Sequence, residues 1–136
     1  MQKLLERKAT TRGGRNGHIG QTLSGLTLEL AKPVEMGGKE NQKTNPEELF
    51  SIGYSSCFAS SIEYLLQVSK TAYDDIQVTV TTSLVPDGDA GFKFDVEVEA
   101  SIKGLSKTEE KSFIQQAYQF CPYSKAIKGN VNVVIK

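Results

Sequence analysis

The sequence lacks tryptophan, has one histidine and two cysteines, and carries no excess charge of either sign. Its 16 Lys and Arg are balanced by 16 Asp and Glu, and the basic residues form no cluster. This argues against nucleic-acid binding, because phosphate recognition normally requires a basic surface. The 136 residues suit a single domain over 1–136, which is long enough to bury a core without disulfide bonds.

Long apolar runs are also scarce. The N-terminal stretch MQKLLERKATTRGGR mixes charged and apolar residues and has no apolar core of the signal-peptide kind, so we expect a cytoplasmic protein. The most apolar window, residues 49–68, contains five serines and Glu63. This content favours a buried helix over a membrane span, and we expect no membrane partner.

The two cysteines, in a chain without an export signal, do not indicate a disulfide framework. The two cysteines can instead serve packing, metal ligation or redox chemistry. Cys57, Cys121 and His18 show none of the short spacings of a metal site, so we predict no metal and no bound cofactor. Free cysteine most often acts as a small buried hydrophobe, and composition alone favours this packing role.

The hydrophobic pattern predicts an α+β domain with the order β-β-α-β-β-α-β. Strands are expected over residues 2–11 and 25–30, separated by a glycine-rich turn and followed by a loop over 34–43. The segment TNPEE at 44–48 predicts the start of a central helix reaching about residue 70, because it combines a cap, an early proline and acids.

The second half of the chain shows clearer patterns. Alternating apolar residues over 75–84 and 91–102 predict two antiparallel strands joined by a turn. A capping box formed by Ser106 and Glu109 begins a second helix, which Gly129 ends. A closing strand follows over 130–136. We therefore expect an antiparallel sheet packed against the central helix.

A reactive cysteine would need help from a cation, because the thiolate is the nucleophile and apolar burial disfavours it. The best candidate is Arg15, since glycines around it allow close approach of the backbone to another element. Glu47, in the first turn of the central helix, could fix the arginine by a bidentate pair. A solvated arginine and a simple helix-dipole role for the glutamate are the alternatives.

Three blocks of sequence carry a resemblance to a known family. They are RGGRNG at 12–17, TNPEELFSIGYSSCF at 44–58, and CPYSK at 121–125 with GNV at 129–131. In this order they resemble the organic hydroperoxide resistance (Ohr) proteins of the OsmC/Ohr family, and the resemblance covers nearly the whole chain. The resemblance implies an OsmC/Ohr-like fold and an intertwined homodimer.

The resemblance further implies a thiol-dependent peroxidase that reduces organic or lipid hydroperoxides to alcohols. Cys57 would be the peroxidatic cysteine, and Cys121 would resolve its sulfenic acid as an intramolecular disulfide. Arg15 would hold the thiolate and polarise the peroxide, and Glu47 would hold Arg15. In this family the disulfide is typically reduced by dihydrolipoyl groups, so a lipoylated protein or dihydrolipoamide is the expected reductant.

Helix geometry adds an inference about assembly. Glu47 and Cys57 are ten residues apart, so on one helix roughly 15 Å of axis separates them. An arginine spans only part of this distance. We therefore predict that the Arg15–Glu47 pair beside a given Cys57 includes residues from a second chain, which makes the site a property of a homodimer.

Apolar residues near the two cysteines suggest a pocket for the organic part of the peroxide. The predicted lining residues are Phe50, Phe58, Pro122 and Tyr123. Each is also an ordinary core residue. The alternative function is a redox-sensing or small-ligand binding module that uses the same thiols without turnover.

Overall fold

The computed structural model describes residues 1–16, 19–39 and 43–136. They form two compact units, Met1–Leu49 and Phe50–Lys136, with the boundary inside the first α-helix. The elements in chain order are β1 Ala9–Thr11, β2 Ile19–Thr22, β3 Thr27–Glu29, α1 Pro46–Val68, β4 Asp75–Pro86, β5 Phe92–Lys103, α2 Lys107–Phe120, α3 Pro122–Ile127 and β6 Asn132–Ile135. Single 3-10 turns lie at Val34–Met36 and Gly88–Ala90.

The N-terminal unit holds a three-stranded antiparallel sheet in the order β1-β2-β3. The strand predicted over 2–11 is present only as β1, and β2 was not predicted. The strand predicted over 25–30 is present as β3, and within that range Leu30 is buried while Leu26 is 55% exposed. The predicted loop over 34–43 contains the first 3-10 turn, and residues 40–42 of it lie outside the described residues.

The start of α1 follows the sequence prediction closely. The Asn45 side chain accepts a hydrogen bond of 2.9 Å from the backbone N–H of Glu48, and Pro46 occupies the first helical position. The helix ends at Val68, close to the predicted residue 70. Among the described residues, no helix combines the length and the apolar character that crossing a bilayer demands.

The C-terminal unit holds a second sheet in the order β4-β5-β6. Strands β4 and β5 form the predicted antiparallel hairpin, in which Val80 lies opposite Val98. Strand β6 departs from the predicted antiparallel arrangement, because it runs parallel to β5. The reason is the connection: α2 and α3 together return the chain to the end at which β5 began, as a helical crossover does.

The second helix predicted between Ser106 and Gly129 is divided into α2 and α3. The Ser106–Glu109 capping box is present as predicted. The division occurs at Cys121, whose backbone is extended at φ −60° and ψ 125°. A proline disfavours the helical conformation in the residue before it, so Pro122 ends α2 and begins α3.

The core of the C-terminal unit lies between α1, the sheet and α2. Its members are apolar side chains that meet with almost no exposure to solvent: Tyr54, Phe58, Ile62, Leu66, Val80, Val96, Val98, Ile102, Ile114, Ala117 and Cys121. The central position of α1 is therefore as predicted. Phe120, the last residue of α2, is 41% exposed and stacks on Tyr64.

Candidate functional site

The two cysteines meet in the C-terminal unit. Cys57 lies in the middle of α1 and is partly exposed, whereas Cys121 is fully buried at the junction of α2 and α3. Both are free thiols, and Cys121 lies close enough to Cys57 to raise its pKa. The fold thus brings together two thiols that belong to distant parts of the sequence.

A backbone N–H also points at the Cys57 sulfur. Tyr123 lies in the first turn of α3, where backbone N–H groups have no partner within the helix, and its N–H donates to the Cys57 thiol. This hydrogen bond lowers the Cys57 pKa, because it favours the thiolate. Burial has the largest effect and raises the Cys57 pKa, and Cys121 raises this pKa as well. The Cys57 pKa consequently lies above its ordinary value.

The break before α3 places the Tyr123 ring over a glycine of α1. A Cβ atom at Gly53 would lie 2.9 Å from Cζ of Tyr123 and closer still to its hydroxyl oxygen. The ring stacks on Tyr54, with centroids 5.9 Å apart and planes 17° from parallel. Gly53 therefore leaves the space in which Tyr123 covers α1, one turn before Cys57.

A buried hydrogen bond joins α3 to α1 beside the thiols. The Tyr54 hydroxyl lies 2.7 Å from the Ser124 hydroxyl, and both residues are buried. Burial raises the Tyr54 pKa, against a smaller opposite effect of the Ser124 hydrogen bond. Analysis of the sequence did not identify these two residues. A serine in a six-residue helix gives no sign that its partner lies 70 positions away.

The four predicted pocket residues have different surroundings. Phe50 contacts Phe94 and Tyr123, with ring centroids 5.1 and 6.1 Å apart. Tyr123 is 38% exposed and Pro122 is exposed, whereas Phe58 is fully enclosed in the core. The role of these residues in lining a pocket stays a prediction.

In the N-terminal unit, Arg15 and Glu47 form the expected bidentate ion pair. The two guanidinium nitrogens of Arg15 donate to the two carboxylate oxygens of Glu47 at 2.6 and 2.5 Å. The side chains are 27% and 16% exposed. The hydrogen bond from Arg15 lowers the Glu47 pKa, and the same bond raises the Arg15 pKa. The glutamate therefore stays ionised and fixes the direction of the guanidinium.

The predicted catalytic residues thus occur as two pairs. Cys57 and Cys121 belong to the C-terminal unit, and Arg15 and Glu47 pair within the N-terminal unit of the same chain. The predicted contribution of a second chain to the site stays a prediction. His18 lies outside the described residues. Within residues 1–16, 19–39 and 43–136, no group of three or more His, Cys, Asp or Glu is placed to hold a metal ion.

Taken together, the fold and the site define an α+β protein with a neighbouring pair of free thiols. The family model described as OsmC-like protein matches residues 38–136. An organic hydroperoxide resistance protein-like protein of Staphylococcus aureus is 40% identical over 130 residues, which are 94% of this chain and 91% of that protein. This chain belongs to the OsmC/Ohr family, as the sequence motifs predicted.

Solved structures agree with this assignment. The crystal structure of an organic hydroperoxide resistance protein from Legionella pneumophila matches with a TM-score of 0.93 and 41% identity, covering 98% of this chain and 97% of that chain. The crystal structure of a putative organic hydroperoxide resistance protein from Vibrio cholerae, with captopril in one of its active sites, matches with a TM-score of 0.92 and 37% identity. It covers 99% of this chain and 92% of that chain.

Proposed function

We propose that this protein is a thiol-dependent peroxidase that reduces organic hydroperoxides to alcohols and so protects against oxidative stress. The observation that carries the proposal is the closeness of two free thiols, a partly exposed Cys57 and a buried Cys121 that acts on its pKa. Membership of a family whose curated relatives are organic hydroperoxide resistance protein-like supports the choice of substrate. Cys57 is the more exposed thiol, so it is the one that meets the peroxide.

The reaction begins with attack of the Cys57 thiolate on the peroxide oxygen that bears hydrogen. The O–O bond breaks, the leaving alkoxide takes up a proton to become an alcohol, and Cys57 is oxidised to a sulfenic acid. The Cys121 sulfur then attacks the Cys57 sulfur, a disulfide forms and water leaves. An external dithiol reduces this disulfide by thiol exchange and is itself oxidised to a disulfide. Dihydrolipoamide or a lipoylated protein is the proposed dithiol.

Thiolate formation at Cys57 needs a positive charge, because burial outweighs the effect of the Tyr123 N–H on its pKa. Arg15 is the proposed source, and the bidentate pair with Glu47 orients it. In the proposed assembly, an intertwined homodimer, residues of both chains complete each site. The distance of about 15 Å along α1 between Glu47 and Cys57 motivates this assembly.

The organic part of the substrate is proposed to bind against aromatic side chains. Phe50 and Tyr123 are in contact with each other, and Tyr123 donates its N–H to Cys57, so apolar surface lies beside the reacting sulfur. This surface favours an organic peroxide over hydrogen peroxide, which has no apolar part to bury. No bound cofactor takes part in the proposed reaction, and a cytoplasmic location is part of the proposal.

A turnover assay tests the proposed function. Cumene hydroperoxide and hydrogen peroxide are compared side by side, each with dihydrolipoamide or with thioredoxin as reductant, and peroxide consumption is followed. We expect sustained consumption of cumene hydroperoxide with dihydrolipoamide, and none by the Cys57→Ser variant. A preference for hydrogen peroxide would contradict the Ohr assignment. One equivalent of oxidation without turnover would instead support a redox-sensing module.

A further inference from the structure

The Tyr54–Ser124 hydrogen bond is a polar contact inside an apolar core. Tyr54 is 0% and Ser124 is 2% exposed, and their hydroxyl oxygens lie 2.7 Å apart. Each hydroxyl is the hydrogen-bond partner of the other, so the free-energy penalty of an unpaired buried polar group is avoided. Apolar residues of similar size would fill the same space. Packing alone therefore does not explain why a tyrosine and a serine occupy these two positions.

The two residues lie next to the groups that surround the Cys57 sulfur. Ser124 directly follows Tyr123, whose backbone N–H donates to Cys57. Tyr54 precedes Cys57 by three residues on α1, so the two side chains lie on one side of that helix. The hydrogen bond thus connects the helix that carries the thiol to the turn that carries the donor.

Helix α3 is too short to be stable without contacts to the rest of the unit. It has six residues, and a helix this short gains too few internal hydrogen bonds to be stable by itself. It begins at Pro122, where the chain has just left α2. The direction of the Tyr123 N–H therefore depends on what fastens α3 to the rest of the unit.

We propose that Tyr54 and Ser124 are positioning residues, whose hydrogen bond fixes the first turn of α3 on α1 and keeps the Tyr123 N–H directed at the Cys57 sulfur. The same contact keeps Cys121, which caps α3, beside Cys57. Neither positioning residue touches the reacting sulfur through its hydroxyl. The relevance of the pair to catalysis rests on the proposed function of Cys57, whereas its effect on the thiol does not require turnover.

The test measures the thiolate of Cys57 directly. The full-length reduced protein is alkylated with iodoacetamide over a range of pH, and mass spectrometry follows the Cys57 and Cys121 peptides separately. The variants are Tyr54→Phe, Ser124→Ala and the double variant. Phenylalanine preserves the stacking on Tyr123 and removes only the hydroxyl. The double variant leaves no unpaired hydroxyl, so it keeps the test valid where a single variant folds poorly.

We expect each single variant to raise the apparent Cys57 pKa by about half to one unit, which lowers its alkylation rate at neutral pH by about three- to tenfold. The double variant should show the same shift as either single one, because all three lose one hydrogen bond. The matched control is Tyr118→Phe. Tyr118 is a partly buried tyrosine of the same unit and makes no hydrogen bond within the described part of the chain, so no shift is expected.

A purely structural role would lower the midpoint of thermal unfolding and leave the pH profile of Cys57 unchanged. That result, or additive shifts in the double variant, would overturn the proposal.

Failure of the proposed function gives a different pattern. In that case the alkylation profiles shift as expected, while the unmodified protein shows no hydroperoxide turnover with any dithiol.

Discussion

The free thiols of Cys57 and Cys121 lie beside each other, although one is in the middle of α1 and the other between α2 and α3. Closeness of two thiols is what an intramolecular disulfide requires before oxidation. The Tyr123 N–H reaches the same Cys57 sulfur from the next element. The proposed reactive centre is therefore a meeting point of α1 with the break before α3.

Replacing Cys57 or Cys121 by serine should affect peroxide reduction differently. The Cys121→Ser variant retains Cys57, so we expect one round of alcohol formation and then a sulfenic acid that has no resolving partner. With excess hydroperoxide this species should proceed to sulfinic acid, seen by mass spectrometry as two added oxygens at Cys57. The Cys57→Ser variant should form no alcohol. Equal and mild losses in the two variants would contradict the assigned roles.

The Arg15–Glu47 pair should stabilise the fold in a pH-dependent way. The hydrogen bond from Arg15 lowers the Glu47 pKa in the folded state, so its stabilisation is fully present above the ordinary pKa of about 4.3 and is lost as pH falls through the folded value. After allowance for solvent screening, we expect Glu47→Gln to lower the free energy of unfolding by about 1 kcal/mol at pH 7. Urea denaturation measures this difference, which should shrink at acidic pH.

The control for this measurement is Glu35→Gln, a substitution of an exposed glutamate in the same unit. We expect its free energy of unfolding to follow the unmodified protein at every pH. A Glu47→Gln difference that persists unchanged at pH 2.5–3, about the lower end of the glutamate range, would show that charge pairing with Arg15 is not the cause.

The absence of a side chain at Gly53 should matter only while Tyr123 is present. Alanine at an exposed helix position is more favourable than glycine by about 1 kcal/mol, but a Cβ here meets the Tyr123 ring. We therefore expect Gly53→Ala to be neutral or destabilising in the unmodified protein and stabilising by about 1 kcal/mol in a Tyr123→Ala background. Urea denaturation of the four proteins measures this coupling. Equal effects in both backgrounds would contradict the packing role of Gly53.

The capping box of α2 gives a prediction that is independent of the thiols. The Ser106 side chain accepts a hydrogen bond from the Glu109 N–H, and Glu109 in turn accepts from the Ser106 N–H at 3.2 Å. Ser106→Ala should lower the free energy of unfolding by about 1 kcal/mol. Ser112→Ala is the control: Ser112 is exposed within the same helix and accepts only a surface hydrogen bond from Gln116, so its loss should be much smaller. A loss of the same size in both variants would rule out capping as the cause.

Local patterns predicted the elements whose signals are themselves local. The hairpin of β4 and β5, the start of α1 at Asn45–Pro46 and the capping box of Ser106 depend on residues within a few positions of one another. The predictions that failed concerned longer-range pairing. Strand β2 has no alternating pattern of its own, and the parallel pairing of β6 follows from the path of the chain through two helices.

In the candidate site too, local motifs were predictive and long-range contacts were not. The motifs at 12–17, 44–58 and 121–125 identified the family, both cysteines and the Arg15–Glu47 pair. Tyr54, Tyr123 and Ser124 lie within these motifs, but the motifs did not indicate that the two hydroxyls pair or that the Tyr123 N–H lies beside Cys57. A proline after Cys121 predicts a helix break by itself, yet the sequence prediction was a single helix from the Ser106 capping box to Gly129. The tertiary packing of α1 decided where that break lies relative to Cys57.

The sequence by itself therefore determined the α+β class, the central helix, the family and the identity of the two thiols, because short-range periodicity and motif spacing specify each of these. Only the tertiary structure decided that the thiols lie near each other, that a backbone N–H reaches Cys57, and that a buried Tyr54–Ser124 bond lies beside them. Such contacts join side chains distant along the chain, and no local pattern records the packing that brings them together.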